Sequence, residues 1–286
     1  MRITKLHAPW SPQFWTPRFQ SNYNMEEYKP SDSNEPVVVF GCYGGGTKAD
    51  IQNHRGLCVI VWSGSDSVRL HERPDFVRYC KDNKHRIFHI AHSHWIQTDL
   101  KHWGLEYIDR VVIPLNLDSY VFEEQASDMV YHYGTHQREW YYGTHLMKKI
   151  RTRWHPNKNF PFVFITTQDG YNKTELYEIY KQSFVGVRLT EHDNMAMSVV
   201  EMGLMGRRSI FNGNVPCAIP YPCAPYNRYE PLTRRQWVWQ DESLMGIVSG
   251  MILEYRGTEP DKLLAEEMRE FVSDNEDWLN TEFYEG

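Results

Sequence analysis

The sequence predicts an α/β protein built on parallel sheets, and three observations support this fold class. Short runs that are apolar throughout, such as Pro36–Phe40 and Leu57–Trp62, are typical of strands buried on both faces. These runs alternate with helical segments, as they do in βαβ units. The alternation fades after Asp118 and restarts at Met129, which indicates a second unit of the same kind.

Each half of the chain supplies its own predicted elements. The first half has predicted strands over Arg2–Leu6, Pro36–Phe40, Leu57–Trp62, Arg86–Ala91 and Arg110–Pro114, and predicted helices over Thr47–His54, Asp75–Asp82 and Ile96–His102. The second half has predicted strands over Met129–Tyr133, Phe160–Thr166, Val185–Leu189 and Ser209–Phe211, and predicted helices over Tyr142–Arg153, Thr174–Gln182, Met195–Met205, 243–254 and 261–272.

Composition excludes several function classes. A net charge of −6 and a pI of about 6.1 argue against general nucleic-acid binding. No apolar run reaches the length of a membrane span, and the first ten residues lack the apolar core of a signal peptide. The five cysteines are widely spaced without a CxxC motif, so we expect reduced thiols and neither disulfides nor a zinc site. These features predict a cytoplasmic protein.

The stretch Val185–Gly213 is the most informative, because it predicts a strand, a polar loop, a helix and a second strand in order. Asp193 or Asn194 is the predicted N-cap of the helix, which leaves the first backbone N–H groups free to attract an anion such as phosphate. Glu201 follows Asp193 by two helical turns and lies on a nearby face. Two acids placed in this way suit the two ends of a sugar nucleotide. The alternative is a capping Asp with a solvated Glu.

Two further groups of residues admit both functional and structural interpretations. Gly44, Gly45 and Gly46 follow a predicted strand, where glycines let a ligand approach the backbone, although a plain tight turn explains them equally. His89, His92 and His94 suggest a metal site. His92 and His94 would share one face of a strand while His89 points away, so the pattern disfavours a metal.

Three passages together resemble the retaining glycosyltransferases of family 4, which have the GT-B fold. The first is His89–Gly104 followed by Arg110–Asp118, which is similar to the last strand and helix of the family's N-terminal domain and its "VIPNGVD" strand. The second is Glu175–Glu201, in which Thr190, Asp193 and Glu201 stand at the family's Ser, first Glu and second Glu. The third is Asp277–Trp278 near the closing helix, similar to the family's "fsW".

The resemblance implies two Rossmann-like domains facing across a cleft. The expected domains are residues 1–120 on the acceptor side, residues 121–265 around the nucleotide sugar, and a tail, residues 266–286, that packs back toward the first domain. The donor would be a nucleotide-diphosphate sugar, most readily linked to UDP or GDP. The expected acceptor is a hydroxyl of a glycan or glycolipid, and no metal or other cofactor is expected.

Roles in the second domain also follow from the resemblance. Glu201 would accept hydrogen bonds from the ribose hydroxyls, and Asp193 would face hydroxyls of the transferred sugar. The diphosphate would meet the helix end through the amides of the four successive residues Asn194, Met195, Ala196 and Met197. Thr190 belongs to the same expected nucleotide-sugar site.

The loop after the domain's first strand departs from the family. The family places an Arg and a Lys there to neutralise the departing diphosphate, whereas this loop begins at Gly134 and has Thr135 and Tyr142 at those positions. Arg138, in the same loop, is the predicted substitute, with His136 and Lys148 behind it.

The first domain is assigned more loosely. Gly44–Gly46 would approach the diphosphate and sugar from the other side, and Asp66 would orient an acceptor hydroxyl or contact the donor sugar, unless it is only a cap or turn residue. The basic positions Lys148, Lys149 and Arg151–Arg153 suggest peripheral membrane contact. Two other functions stay open, namely a sugar-nucleotide epimerase or hydrolase on the same fold, and a non-catalytic nucleotide-sugar binder.

Overall fold

The chain divides into two compact units. The computed structural model describes residues 3–9, 15–124, 128–134, 139, 141–154, 163–166, 170–190, 192–222, 242–274 and 279. Unit 1 consists of Met1–Asn116, Asp193–Met195 and Val272–Gly286, and unit 2 consists of Leu117–His192 and Ala196–Phe271. The sequence placed domain boundaries after residues 120 and 265 and did not anticipate the short exchange at Asp193–Met195.

Unit 1 contains a parallel sheet with the strand order β2-β1-β3-β4-β5-β6. Its strands are β1 (Lys5–His7), β2 (Glu26–Glu27), β3 (Val37–Phe40), β4 (Cys58–Val61), β5 (Ile87–Ala91) and β6 (Ile108–Asp109). Its helices are α1 (Trp15–Tyr23), α2 (Gly45–Asn53), α3 (Ser65–Val68), α4 (Pro74–Asp82) and α5 (His94–His102).

Both faces are buried in the middle of this sheet, which is why β3 and β4 read as unbroken apolar runs. Alternate residues of β3 enter different cores: Val37 and Val39 pack in one cluster with side chains of α2, α4 and α5, and Val38 and Phe40 pack in another with Phe19 of α1. A strand's side chains alternate between its faces, so the two clusters lie on opposite sides of the sheet.

Unit 2 contains a second parallel sheet, with the order β11-β10-β9-β7-β8. Its strands are β7 (Met129–His132), β8 (Val163–Thr166), β9 (Ser183–Val187), β10 (Arg208–Ile210) and β11 (Ala218–Ile219). The helices of this part of the chain are α6 (Thr144–Trp154), α7 (Lys173–Gln182), α8 (Met197–Leu204), α9 (Glu242–Glu254) and α10 (Lys262–Ser273). Side chains of α6 and α9 pack with those of β7, β9 and β10 in one core.

The predicted α/β class with parallel sheets is confirmed, and two details of the prediction are wrong. The segment Arg110–Pro114 is not a strand, because β6 ends at Asp109 and the buried side chains of Val112 and Ile113 follow it in irregular backbone. Helix α2 begins at Gly45 with Gly44 as its N-cap, two residues before the predicted start at Thr47.

The described cysteines are buried free thiols: Cys42, Cys58 and Cys80 in unit 1 and Cys217 in unit 2. Burial raises the pKa of Cys42, Cys58 and Cys217 to about 12, because the thiolate loses its hydration in the core. The fifth cysteine, Cys223, lies outside the described residues, and the reduced state of the protein stays a prediction.

Candidate functional site

The order in which the chain adds strands to the unit 2 sheet reverses between β7 and β9. From β7 it proceeds to β8 on one side, and it then returns to place β9 and β10 on the other side. In open parallel sheets, ligands bind outside the carboxyl ends of the strands at such a reversal point. The residues that follow β7 and β9 and the first turn of α8 are therefore the candidate site of unit 2.

Helix α8 begins later than the sequence predicted. Ala196 is its N-cap and Met197 its first residue, so the prediction of Asp193 or Asn194 as the cap is wrong. The Asp193 carboxylate, Oδ1, instead accepts the adjacent Asn194 N–H at 2.8 Å, and the Asp193 carbonyl accepts the Ser93 hydroxyl at 3.0 Å. Asp193–Met195 belong to unit 1. Of the four residues whose amides were predicted to meet the diphosphate, only Ala196 and Met197 therefore lie in unit 2.

Thr190 is an internal residue of the loop after β9. Its backbone N–H donates to the Tyr221 hydroxyl at 2.7 Å, and that hydroxyl donates to the Thr190 carbonyl at 2.9 Å. The Thr190 side chain is fully buried and donates to the His192 carbonyl at 2.8 Å. The structure therefore places Thr190 as a support for the loop at the candidate site.

Glu201, in the second turn of α8, is a buried acid, with 3% of its surface exposed. Its Oε1 accepts the Tyr120 hydroxyl at 2.9 Å and also a short hydrogen bond from Lys173 Nζ. The Lys173 side chain is 45% exposed, so one partner of this ion pair reaches solvent. The sequence did not reveal these partners, because both lie far from Glu201 along the chain.

Arg188 directly follows β9 and is the residue of this edge that sequence reasoning missed. Only 7% of it is exposed. Its guanidinium carbon lies 3.8 Å from the centre of the Tyr133 ring and 5.2 Å from that of Tyr142, and Nη1 lies 3.5 Å from the Ser198 hydroxyl in the first turn of α8. A single Arg at the end of an apolar strand was the available signal.

Gly134 follows β7, and its backbone is closely approached by neighbouring side chains. An added Cβ would lie 2.5 Å from the Thr144 hydroxyl. That hydroxyl belongs to a residue only 2% exposed and has no hydrogen-bond partner among the described residues. The close packing explains the glycine at this position.

The structure describes only part of the loop after Gly134, in which Arg138 was the predicted substitute for the family's cations. Arg138, Thr135 and His136 lie outside the described residues, so the role of Arg138 stays a prediction. Lys148 is exposed on α6 and forms an ion pair with Glu139 at 2.7 Å, which indicates a solvated surface position.

In unit 1, the glycine loop follows β3 and opens α2. Gly45 and Gly46 are exposed, and an added Cβ on either would meet no protein atom within 4 Å. The preceding turn is braced by Arg73, whose guanidinium donates to the carbonyls of Cys42 and Tyr43, both at 2.6 Å. The loop is thus fixed at its base and open beside its glycines, and its contact with a diphosphate stays a prediction.

Asp66 has the turn role that the sequence left open as an alternative. Its side chain is fully buried and accepts the backbone N–H groups of Cys42 at 2.9 Å, Ser63 at 3.1 Å and Ser67 at 3.0 Å. Burial raises the pKa of the carboxyl, against the opposing effect of these amides. Because its oxygens face backbone amides, we assign Asp66 no contact with substrate.

The histidines of the possible metal motif have protein neighbours instead. His89 Nδ1 accepts the Trp62 indole N–H at 3.2 Å, and His92 Nε2 lies 2.6 Å from the Trp62 carbonyl. Burial lowers the pKa of both histidines to about 4, so both are neutral at pH 7. Within the described residues, no cluster of His, Cys, Asp and Glu has the arrangement of a metal site.

The predicted membrane contact gains no support. On α6, Arg153 pairs with Glu242 at 3.4 Å, and the other basic side chains of this face are exposed. None of the helices in the described part of the chain combines the length and apolar character needed to cross a bilayer.

Sequence comparison finds no protein-family profile and no curated protein that matches this chain. Comparison of structures does find similarity. Sucrose-phosphate synthase from Thermosynechococcus elongatus superposes with a TM-score of 0.53 at 11% identity, over 92% of this chain and 72% of that one.

Two further structures reach a TM-score of 0.49. They are a point mutant of S. aureus TarM in complex with fondaparinux, α-GlcNAc-glycerol and UDP, at 10% identity over 84% of this chain, and the pneumococcal O-GlcNAc transferase GtfA in complex with UDP and GlcNAc, at 11% identity over 85%. This chain spans 55% of the length of each. At these identities the likeness bears on the fold, which the sucrose-phosphate synthase superposition shows: the chain has the α/β architecture of the GT-B glycosyltransferases.

Proposed function

We propose that this protein is a glycosyltransferase that moves a sugar from a nucleoside-diphosphate donor, linked to UDP or GDP, to a hydroxyl of a glycan or glycoconjugate. The observation that carries the proposal lies at the reversal point of the unit 2 sheet of a GT-B fold. There the N-terminus of α8 meets the end of β9, and the same helix carries the buried Glu201 in its second turn.

Each part of this arrangement suits one part of the donor. The N-terminus of α8 offers backbone N–H groups and the positive end of a helix dipole to the diphosphate. In the proposal, Glu201 accepts hydrogen bonds from the ribose hydroxyls and exchanges its bond from Lys173 for them, which the exposure of that lysine permits. The family resemblance supports a role for Asp193 toward the transferred sugar and for Gly44–Gly46 toward the donor, and both roles stay predictions.

In the proposed reaction, the bond between the anomeric carbon and the diphosphate breaks, and the diphosphate leaves with the bonding electrons. A bond from the acceptor oxygen to the anomeric carbon forms, and the acceptor's proton departs with the leaving group. The family resemblance supports retention of configuration and a reaction without metal. The main demand on the protein is to stabilise the charge that develops on the diphosphate.

A donor panel tests the proposal. Thermal denaturation and calorimetric titration with UDP, GDP and their sugar conjugates should identify one base that stabilises the protein. Transfer to a glycan acceptor is then followed by mass spectrometry, and the anomeric configuration of the product by NMR. Fast donor consumption without acceptor would favour an epimerase or hydrolase, and binding without turnover would favour a non-catalytic binder. If no nucleotide or nucleotide sugar binds, the proposal is wrong.

A further inference from the structure

Arg188 is a buried cation at the place where the candidate site of unit 2 would hold an anion. It follows β9 at the reversal point of the sheet, and its guanidinium lies within reach of the first turn of α8 through Ser198, at 3.5 Å. The helix end and the cation therefore supply positive charge at one point.

Aromatic rings fix the orientation of this cation. The Tyr133 ring lies 3.8 Å from the guanidinium carbon, and the Tyr142 ring lies 5.2 Å from it. Stacking against a ring face uses the attraction between a cation and the ring's electrons and leaves the edge of the planar group for hydrogen bonds. A guanidinium held in this manner presents paired N–H donors, which match the oxygens of a phosphate.

The contact with Tyr142 accounts for the departure found in the sequence. Tyr142 stands where the family resemblance places a Lys, and the space beside its ring is occupied by the Arg188 guanidinium. A cation therefore lies beside position 142, although the loop itself has none there.

We propose that Arg188 binds the diphosphate of the donor and stabilises it as the leaving group, together with the N-terminus of α8. This inference rests on the proposed function, because the ligand is the donor of that reaction. It differs from the assignment to Arg138 in placing the charge directly after β9, at the reversal point, and not in the loop after β7.

The test uses the full chain and compares three probes by calorimetry: UDP, uridine and inorganic pyrophosphate. Loss of hydrogen bonds to a charged group should weaken UDP and pyrophosphate binding by about 10- to 100-fold in Arg188→Gln, with uridine unaffected. The matched control is Arg208→Gln, which removes a half-exposed guanidinium paired with Asp261 at 3.4 Å, and it should leave all three affinities unchanged.

Circular dichroism melting establishes that the variants fold. If Arg188→Gln does not fold, Arg188→Lys carries the test, since it keeps a cation beside the rings but loses the paired donors. It should bind pyrophosphate several-fold more weakly. Equal pyrophosphate affinity in the folded Arg188 variant and the parent would overturn the proposal, and so would a parent that binds neither pyrophosphate nor UDP.

The two proposals fail in different ways. Arg188-dependent binding of pyrophosphate without any sugar transfer would support the anion site and reject the glycosyltransferase. Sugar transfer that proceeds in Arg188→Gln at the parent's rate and with the parent's UDP affinity would support the enzyme and reject Arg188.

Discussion

Replacing Glu201 by Gln removes a buried charge while keeping the shape of the side chain. The Tyr120 hydroxyl, 2.9 Å from Oε1, keeps an acceptor in the variant, and Lys173 loses an ionic partner. Because the Lys173 side chain is 45% exposed, it can turn to solvent, and screening limits the value of the pair to about 1 kcal/mol. Weakening the Tyr120 bond from a charged to a neutral acceptor costs about 1 kcal/mol more.

We therefore expect the free energy of unfolding to fall by about 2 kcal/mol in Glu201→Gln, measured by urea denaturation. The effect on nucleotide binding should be larger. Two hydroxyl bonds to a carboxylate are worth about 1.5–3 kcal/mol each, so the loss of the charge predicts UDP binding weaker by at least about tenfold.

The sharpest assay compares UDP with 2′-deoxy-UDP by calorimetry. The parent should prefer UDP, and Glu201→Gln should lose most of that preference, because the group that reads the hydroxyl has changed. Lys173→Met provides the matched control, since it frees the same carboxylate from its competing ion pair and should leave UDP binding unchanged or tighter. An unaltered preference in Glu201→Gln, or an equal loss in Lys173→Met, would refute the ribose role.

Three further predictions concern stability. Burial lowers the pKa of His89, His92 and His132 to about 4. Between pH 4 and 6.5 the unfolded chain therefore binds more protons than the folded protein. Lowering the pH from 7.5 to 5 should reduce the free energy of unfolding by about 2 kcal/mol for each histidine. Asp66→Asn places an amide group against backbone N–H donors, and we expect a loss of about 1–3 kcal/mol in urea denaturation. Gly186→Ala would bring a Cβ within 2.5 Å of a hydroxyl on β10 and 2.6 Å of a sulfur on α8, and overpacking of this kind should cost about 1–3 kcal/mol by the same method.

Each of these has a clear contrary result. His89→Gln keeps an acceptor for the Trp62 indole and should flatten the pH dependence by about one histidine's share; an unchanged slope would contradict a buried neutral ring. Melting of Asp66→Asn at the parent's temperature would mean that its amides find other partners. Gly246, on α9, has open space where a Cβ would stand, so Gly246→Ala serves as the tolerated control for Gly186→Ala, and equal stability of the two variants would contradict overpacking at Gly186.

The strands were predictable because burial on both faces leaves a strong local signal. Val37–Phe40 and Cys58–Val61 are apolar at every position, and both lie near the middle of their sheet. The same signal misled at Arg110–Pro114, where Val112 and Ile113 are buried without forming a strand. An apolar run predicts that its side chains are buried. Whether its backbone forms a strand depends on pairing with segments elsewhere in the sequence.

The start of α8 was less predictable, because two conformations compete at Asp193. Aspartate caps helices well, but its carboxylate also bonds readily to nearby amides in turns. Here it accepts the Asn194 N–H, and the helix begins at Met197 after a cap that offers no side-chain bond. The Asp193 carbonyl accepts the hydroxyl of Ser93, which lies 100 positions away, and no local pattern reveals such a contact.

The partners at the candidate site lay beyond sequence reasoning for the same reason. Glu201 meets Lys173 from 28 positions away and Tyr120 from 81, so nothing in the helix containing Glu201 indicates that its carboxylate is buried and bonded. In the sequence, Arg188 is a single charge at a strand end, and its contacts with the rings of Tyr133 and Tyr142 come from positions far along the chain.

The buried thiols provide natural probes of local unfolding. With Cys42, Cys58 and Cys80 enclosed in unit 1 and Cys217 in unit 2, a thiol reagent in solution reaches them only when the surrounding structure opens. Labelling rates followed by peptide mass spectrometry would therefore time the opening of each unit separately, without an introduced probe. A nucleotide held in unit 2 should slow the labelling of Cys217 and leave that of the unit 1 thiols nearly unchanged.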